Sequence, residues 1–339
     1  MSVQVPLRRL GRSGLAVSRL TLGTMTFGDR TDEAESERIF SRAVEAGVNF
    51  IDTADVYAAG RSEEITGRLI AGRRDDFIVA TKAGNPMGEG PNRRGLSRRW
   101  LHSAVEASLR RLDTDYIDIL YLHRDDRDTP LEETARALDD LRRSGKIRYF
   151  GISNFRAWQI ARLSEICCSE GMDGPVALQP VYHVLNRSAE AELLPVCAEY
   201  GIGVVTYSPT ARGILTGKYG VDAPLPEGSR AALGNRRMME AEFYPENIQA
   251  GARFATLAHE RGVDPVALAT AWILANNLVT SVIAGPRTLD QWLGYEAAIE
   301  CRLDSELEAA IDAMVRAGTT AVPQFIDPNY PVEGRVVGV

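Results

Sequence analysis

Short apolar runs alternate with stretches of helical periodicity along most of the chain. The runs at 19–23, 48–52, 77–82, 116–123, 147–153, 176–180, 203–208 and 280–285 are too short for helices and rich in Val, Ile, Leu and Tyr, which predicts eight buried strands. Between them the apolar residues recur at spacings of three and four. Trp100, Leu101, Ala104, Val105, Leu109 and Leu112 share one side of a predicted helix at 97–112. Further helices are predicted at 32–47, with Glu35 placed for a capping box on Asp32, from Ser62 onward, and at 129–145, 158–171, 187–201 and 264–276. Pro130 and Pro265 stand at first helical positions, and Gly145 and Gly201 stand just past helix ends. Ahead of the first strand, Leu7–Leu10 and Leu15–Val17 flank Gly11-Arg12-Ser13-Gly14 and predict a hairpin.

Eight strands, each followed by an amphipathic helix, predict a parallel sheet closed into a (β/α)8 barrel, the TIM-barrel architecture, since a doubly wound sheet usually has fewer strands. The reading is one domain over 1–339: a hairpin at about 7–17, the barrel at about 18–300, and a C-terminal helix and tail at about 304–339. The stretch 210–246, with Gly213, Gly217, Gly220, Pro224, Pro226 and Gly228, is too long for a plain connection and is expected to be a functional loop without a helix of its own.

Composition narrows the function. A 339-residue chain that is 45% apolar can bury a sizeable core, and a net charge of −7 disfavours nucleic acid and anionic membranes as partners. The pairs Arg73-Arg74, Arg93-Arg94, Arg98-Arg99, Arg110-Arg111 and Arg142-Arg143 read as solvated faces. Cys167, Cys168, Cys197 and Cys301 show neither disulfide nor zinc spacing, so no metal is expected. The N-terminus lacks a signal-peptide pattern and no apolar run reaches eighteen residues, which points to a cytoplasmic protein. Nothing indicates the oligomeric state.

Catalytic groups of such barrels gather where the strands end. The segment NFIDTADVY at 49–57 ends strand two in Asp52 and carries Tyr57 in the loop beyond, while strands three and four end in Lys82 and His123. Ser153-Asn154 follow strand five, Gln179 lies in strand six, and Tyr207-Ser208 close strand seven. Singly these residues read as helix caps, a solvent-seeking lysine and a rim histidine. Together their chemistry is complementary. A Lys82 ammonium held by Asp52 would favour the Tyr57 phenolate and lower its pKa from about 10 toward the range of a general acid, while His123 could bond a carbonyl oxygen. Carbonyl reduction needs such a proton donor as hydride arrives at carbon. A Schiff-base lyase with Lys82 as nucleophile is the rival reading, and Asp52 counts against it by keeping the lysine protonated. There is no Gly-x-Gly-x-x-Gly, and 213–219 is one residue short of a P-loop, with Tyr219 where Ser or Thr would bind magnesium.

The segments RRLGRSGLAVSRLTLGTMTFG, NFIDTADVY, ATKAG, YLHRDD, GKIRYFGISNF and YSPTARGILTGKY resemble those of the aldo-keto reductases. The resemblance runs from Leu7 to about Asp304 and is strongest to the longer bacterial branch, which is also similar to potassium-channel β subunits. It implies an NADPH-dependent reductase of small aldehydes or ketones whose catalytic tetrad is Asp52, Tyr57, Lys82 and His123. It implies that Ser153, Asn154 and Gln179 hold the nicotinamide carboxamide and that Tyr207 stacks on its ring. Ser208, Gly213, Leu215 and Lys218 would follow the pyrophosphate, and Gly23, Thr24 and Met25 would floor the site. From their place after the last strand, which ends at Gly285, itself an expected cofactor contact, Arg287 and Gln291 are expected at the adenosine 2′-phosphate, with Arg230 assisting. The chain departs from the family pattern at Pro180, at Thr210 and at Gly294-Tyr295 beside the expected adenine. The same tetrad also fits a cofactor-binding regulatory subunit with little turnover. The substrate pocket should involve Met25, Tyr57, Asn85, Arg124 and the loop after Thr210. Arg124 either favours a carboxylated or phosphorylated carbonyl compound or faces the surface.

Overall fold

The structure is a computed structural model that describes residues 3–323 and Asp327. β1 (Leu7–Arg9) and β2 (Ala16–Ser18) pair antiparallel as the predicted hairpin. The chain then runs through β3 (Leu20–Gly23), α1 (Glu33–Glu45), β4 (Phe50–Asp52), α2 (Arg61–Ile70), β5 (Ile78–Ala83), α3 (Arg98–Leu112), β6 (Ile117–Leu122) and α4 (Leu131–Arg143). β7 (Ile147–Ser153), α5 (Ala157–Ser169), β8 (Ala177–Gln179), α6 (Leu193–Tyr200) and β9 (Gly203–Thr206) complete the regular alternation. α7 (Arg236–Ala241), α8 (Pro245–Glu260) and α9 (Pro265–Ala275) precede β10 (Val279–Ala284), and α10 (Leu289–Glu296) and α11 (Ser305–Asp312) follow it. Strands β3 to β10 close into a (β/α)8 barrel in chain order, every neighbour parallel, with β10 returning to β3.

The period of two along each strand separates two cores. Ile51, Val79, Leu120, Leu122, Ile152, Leu178, Val204 and Val282 belong to the large cluster shared with the helices. Phe50, Ala80, Ile119, Tyr121, Ala177, Val205 and Ile283 form the smaller inner cluster, which Leu10 and Val17 of the hairpin join. Two residues beyond members of that inner set stand Asp52, Lys82, His123, Gln179, Tyr207 and Gly285. One alternation therefore fills the barrel with apolar groups and then presents polar ones at the mouth.

Several expectations are corrected. The helix after Tyr57 begins at Arg61, capped by Gly60 at φ 98°, and Ser62 lies inside it rather than capping it. Asp32 accepts from the Glu35 amide, but the Glu35 carboxylate turns away to the Leu289 amide at the start of α10, so no reciprocal box forms. Pro130 caps α4 instead of opening it, and the helix expected at 187–201 is a 3₁₀ turn, Ser188–Glu190, followed by the shorter α6. Arg74 and Arg111 are not solvated: Arg74 bonds Asp118 and lies over the Tyr116 ring, and Arg111 bonds the buried Glu63. The stretch 210–246 holds a 3₁₀ turn at Ala211–Thr216 as well as α7, and it leads into α8, whose Pro245 occupies a first-turn position. The buried face of α8 is made largely of small or polar residues (Asn247, Ala250, Gly251, Ala255, Ala258) with only Ile248 and Phe254, so its apolar stripe is weak in sequence. Among the described residues no helix is long and apolar enough to cross a membrane.

Gly251 lets α8 lie against the Ala211–Thr216 turn, since a Cβ there would be driven into the Ile214 backbone carbonyl. Alanine gains about 1 kcal/mol in helix propensity, but overpacking against backbone costs about 1–3 kcal/mol. Gly251→Ala should therefore destabilise the fold by about 1 kcal/mol in urea titration; a stabilised variant would show that the helix shifts freely.

Candidate active site

β4 delivers Asp52 and β5 delivers Lys82 to the interior of the mouth, and both side chains are buried. Lys82 Nζ donates to Asp52 Oδ1, to the Thr53 carbonyl at 2.7 Å and to Tyr57 Oη at 3.2 Å. Gln179 reaches across from β8, its Nε2 donating to Asp52 Oδ2 at 2.7 Å, so both carboxylate oxygens are occupied. The loop after β4 is pinned by the amides of Thr53 and Asp55, which donate to the carbonyls of Ala80 and Lys82. It then turns through Ala58, Ala59 and Gly60, all at positive φ, before entering α2. Two alanines in the left-handed region cost about 1–2 kcal/mol each, strain that the surrounding packing must hold.

Thr24 does not face the cavity. Its hydroxyl meets Ser62 Oγ at 2.8 Å, and Ser62 also reaches the Thr24 carbonyl and Thr53 Oγ1, so Thr24 fastens the loops after β3 and β4 together. Leu215 is likewise corrected: its side chain is in the core and its amide donates to the Thr210 carbonyl.

His123 stands edge-on to Tyr57, ring centroids 6.0 Å apart, and its Nδ1 has no hydrogen-bond partner among the described residues. Burial, reinforced by the charges of Lys82, Arg237 and Arg124, holds its pKa well below the usual value, so the ring is neutral. Lys82 is raised: burial opposes its charge, but Asp52 and Tyr57 outweigh it. Burial likewise pushes Asp52 up against the pull of Lys82. Tyr57 departs from expectation, because burial raises its pKa and outweighs the lowering by Lys82. The lysine charge is already shared with Asp52, so the phenol stays protonated. Its O–H is a donor held beside a cation.

Asn154, at φ 59°, donates to the His123 carbonyl and to Ser153 Oγ, and its Oδ1 accepts from Tyr207 Oη at 2.9 Å. Ser153 Oγ donates to the Gln179 carbonyl at 2.8 Å. These residues share a cavity of about 420 Å³ with Gly23, Met25, Asp52, Tyr57, His123, Ser208, Gly213, Lys218, Arg230, Gly285, Arg287 and Gln291. Lys82 lies behind Asp52 and Tyr57. Asn85 lines neither this cavity nor its neighbour, and Arg124 lines the neighbour, a cleft of about 600 Å³ with Arg94 and Asp125.

The reading from sequence missed Arg212, Arg237, Asp264 and Asp290, which also line the cavity. Gly294 and Tyr295, which the sequence places beside the expected adenine, line it too, Tyr295 four residues after Gln291 on α10. Arg237 carries no such signal, because the short α7 lies in a stretch whose glycines and prolines read as loop. At the α10 end, Arg287 donates to the Gly228 carbonyl at 2.8 Å and its amide donates to Gln291 Oε1. Burial, then Arg287 and Arg230, lower the Lys218 pKa, and burial lowers Arg230 with Arg212 and Arg287 adding to it. Crowded cations of this kind suit a ligand with several negative charges.

Residues 19–316 match the model of the Aldo/keto reductase family. The chain belongs to that family. The chain is 38% identical over 318 residues to a protein of Oryza sativa subsp. japonica described as a probable voltage-gated potassium channel subunit beta, with 91% of this chain and 96% of that one covered. It is 38% identical over 309 residues to the uncharacterized oxidoreductase YrpG of Bacillus subtilis (strain 168), with 88% and 92% covered.

Near Lys82, Asp55 is buried, and among the described residues no side chain hydrogen-bonds its carboxylate. Burial and then the neighbouring Glu63 push its pKa up to about 8, against Arg111 and Lys82. An acid with a raised pKa stabilises the fold fully below its unfolded value, about 3.9, and loses that contribution as pH rises through the folded value. Asp55→Asn should therefore remove a fall in stability between about pH 4 and pH 8 worth on the order of a few kcal/mol. Urea midpoints of both proteins at pH 5 and pH 8 check this; a difference independent of pH would refute it.

Proposed function

We propose that the protein reduces aldehydes or ketones to alcohols with NADPH, Tyr57 acting as the general acid. The observation that carries this reading is the Tyr57 hydroxyl at 3.2 Å from the Lys82 ammonium, inside a cavity it shares with a neutral His123. NADPH, when bound, supplies the hydride. Tyr57 gives its phenolic proton to the carbonyl oxygen, and the Lys82 cation stabilises the phenolate left behind. Asp52 keeps Lys82 charged and in place, with Gln179 bracing the far carboxylate oxygen. His123 hydrogen-bonds the carbonyl and orients it. The raised pKa of Lys82 counts against a Schiff-base lyase, which needs the free amine.

For the cofactor, Ser153, Asn154 and Gln179 are assigned to the carboxamide, Tyr207 to the nicotinamide face, Ser208, Gly213 and Lys218 to the pyrophosphate, and Arg287, Arg230 and Gln291 to the 2′-phosphate. The crowding of Lys218, Arg230 and Arg287 supports this assignment, since a phosphate would relieve it. Gly23, Met25 and Gly285 contribute shape. The relative described as a channel subunit keeps a second reading open, a cofactor-binding regulator, and turnover separates the two.

Tyr57→Phe should lower kcat by about 10²- to 10⁴-fold while NADPH binding, followed by fluorescence titration, stays near that of the wild type. Lys82→Met should also lower kcat and should shift its pH profile, because without the cation the Tyr57 pKa moves further up. A residual rate near wild type in Tyr57→Phe would remove the phenol from the acid role.

Arg287→Ala should weaken NADPH by about 1.5–3 kcal/mol and leave NADH nearly unaffected. Equal loss for both nucleotides would move Arg287 from the 2′-phosphate to a part that the two share.

A further inference from the structure

The carbonyl end of the cavity has a cation that the proposed reduction does not use. Arg237, at the start of α7, lines the same cavity as Tyr57 and His123, hydrogen-bonds Tyr207, and lies near enough for its charge to act on Tyr57 and His123. It therefore belongs with the reacting groups and not with the cluster of Lys218, Arg230 and Arg287. The neighbouring Arg212 is differently placed. It is buried against the buried Glu242, with His183 behind that carboxylate. That arginine is held mainly by an interior partner, although its Nη2 also lies 3.8 Å from Asp327 Oδ2.

Arg237 has a carboxylate partner of another kind. Its Nε and Nη2 both donate to Oδ2 of Asp327, at 3.0 and 2.5 Å, and Asp327 comes from the C-terminal region beyond α11 rather than from the barrel. The Arg237 side chain keeps a third of its surface exposed, so this pair is far less sealed than Arg212 and Glu242. The fork of Arg237 is thus already set to hold a carboxylate at the cavity wall, which is the recognition a guanidinium performs best.

We propose that Arg237 selects carbonyl substrates bearing a carboxylate remote from the reacting carbon, and that Asp327 holds that place until such a substrate displaces it. This rests on the reductase reading above and adds the substrate class. Arg124, the residue that the sequence offered for this task, faces the neighbouring cleft instead.

The two partners should have opposite effects. With NADPH, kcat/KM is measured for 4-carboxybenzaldehyde and 4-methylbenzaldehyde, and the ratio of the two is compared among wild type, Arg237→Gln and Asp327→Asn. Loss of one charge-assisted bond should lower the ratio about tenfold or more in Arg237→Gln. Removing the competing carboxylate should raise it severalfold in Asp327→Asn. A salt bridge with only a structural role would move both variants in the same direction or leave the ratio unchanged, and either result overturns the proposal. If the wild type reduces neither aldehyde, the reductase reading fails. Calorimetric binding of 4-carboxybenzaldehyde in the presence of NADPH then decides: weaker in Arg237→Gln and tighter in Asp327→Asn upholds Arg237 as the anchor, and equal affinities refute it.

Discussion

The site depends on one buried ion pair. Taking Asp52 and Lys82 out of water costs several kcal/mol per ion, and their attraction repays that only when the remaining donors and acceptors are also satisfied. Here they are. Lys82 Nζ meets a carboxylate, a carbonyl and the Tyr57 oxygen, and Gln179 takes the second oxygen of Asp52. Because these partners come from β4, β5, the loop after β4 and β8, the pair can be satisfied only when the barrel is closed with β4 and β5 in register, Asp52 opposite Ala80. The chemistry of the mouth and the closure of the sheet are therefore one constraint.

The same geometry explains why Tyr57 rests as a phenol. A free ammonium beside a phenol would lower its pKa, but Lys82 already serves a carboxylate, and desolvation of the phenolate is the larger effect. In the proposed reduction the lysine acts on the charge that appears when the proton leaves, when Tyr57 rather than Asp52 needs it most. His123 fits this division of labour. Kept neutral by burial and by the surrounding cations, it can donate a hydrogen bond without competing as an acid.

Much of this was legible in the chain because it follows from period two. Eight apolar runs named the strands, and what stands two residues past the inner-facing positions named Asp52, Lys82, His123, Gln179 and Tyr207. What could not be read depends on contacts between segments far apart in sequence. Thr24 looks like a floor residue until Ser62, on a different loop, is seen to hold it, and Leu215 looks like a pyrophosphate contact until α8 is seen to bury the turn that carries it. α8 itself was hidden because its buried face relies on close backbone approach at Gly251, which leaves no strong apolar stripe to detect. The direction of the Tyr57 shift was missed for a related reason, since spacing reveals neighbours but not the depth of burial.

Net charge gives a final example of a global property that conceals a local one. The chain carries −7, yet Arg212, Arg230, Arg237, Arg287 and Lys218 all line one cavity, against Asp52, Asp264 and Asp290. Acidic residues elsewhere keep the whole molecule negative, which disfavours binding to extended polyanions, while the low-dielectric walls of the barrel mouth concentrate the positive field where a small anion can enter. The cations also divide by neighbour. Arg287 is tied to the loop at Gly228 and crowds Lys218 and Arg230, whereas Arg237 touches Tyr207 beside the reacting groups. In the proposed reading both ends of the cavity carry guanidinium groups, Arg237 being balanced by Asp327 until a ligand carboxylate takes its place, so the charge distribution of a ligand, and not its size alone, determines which end holds it.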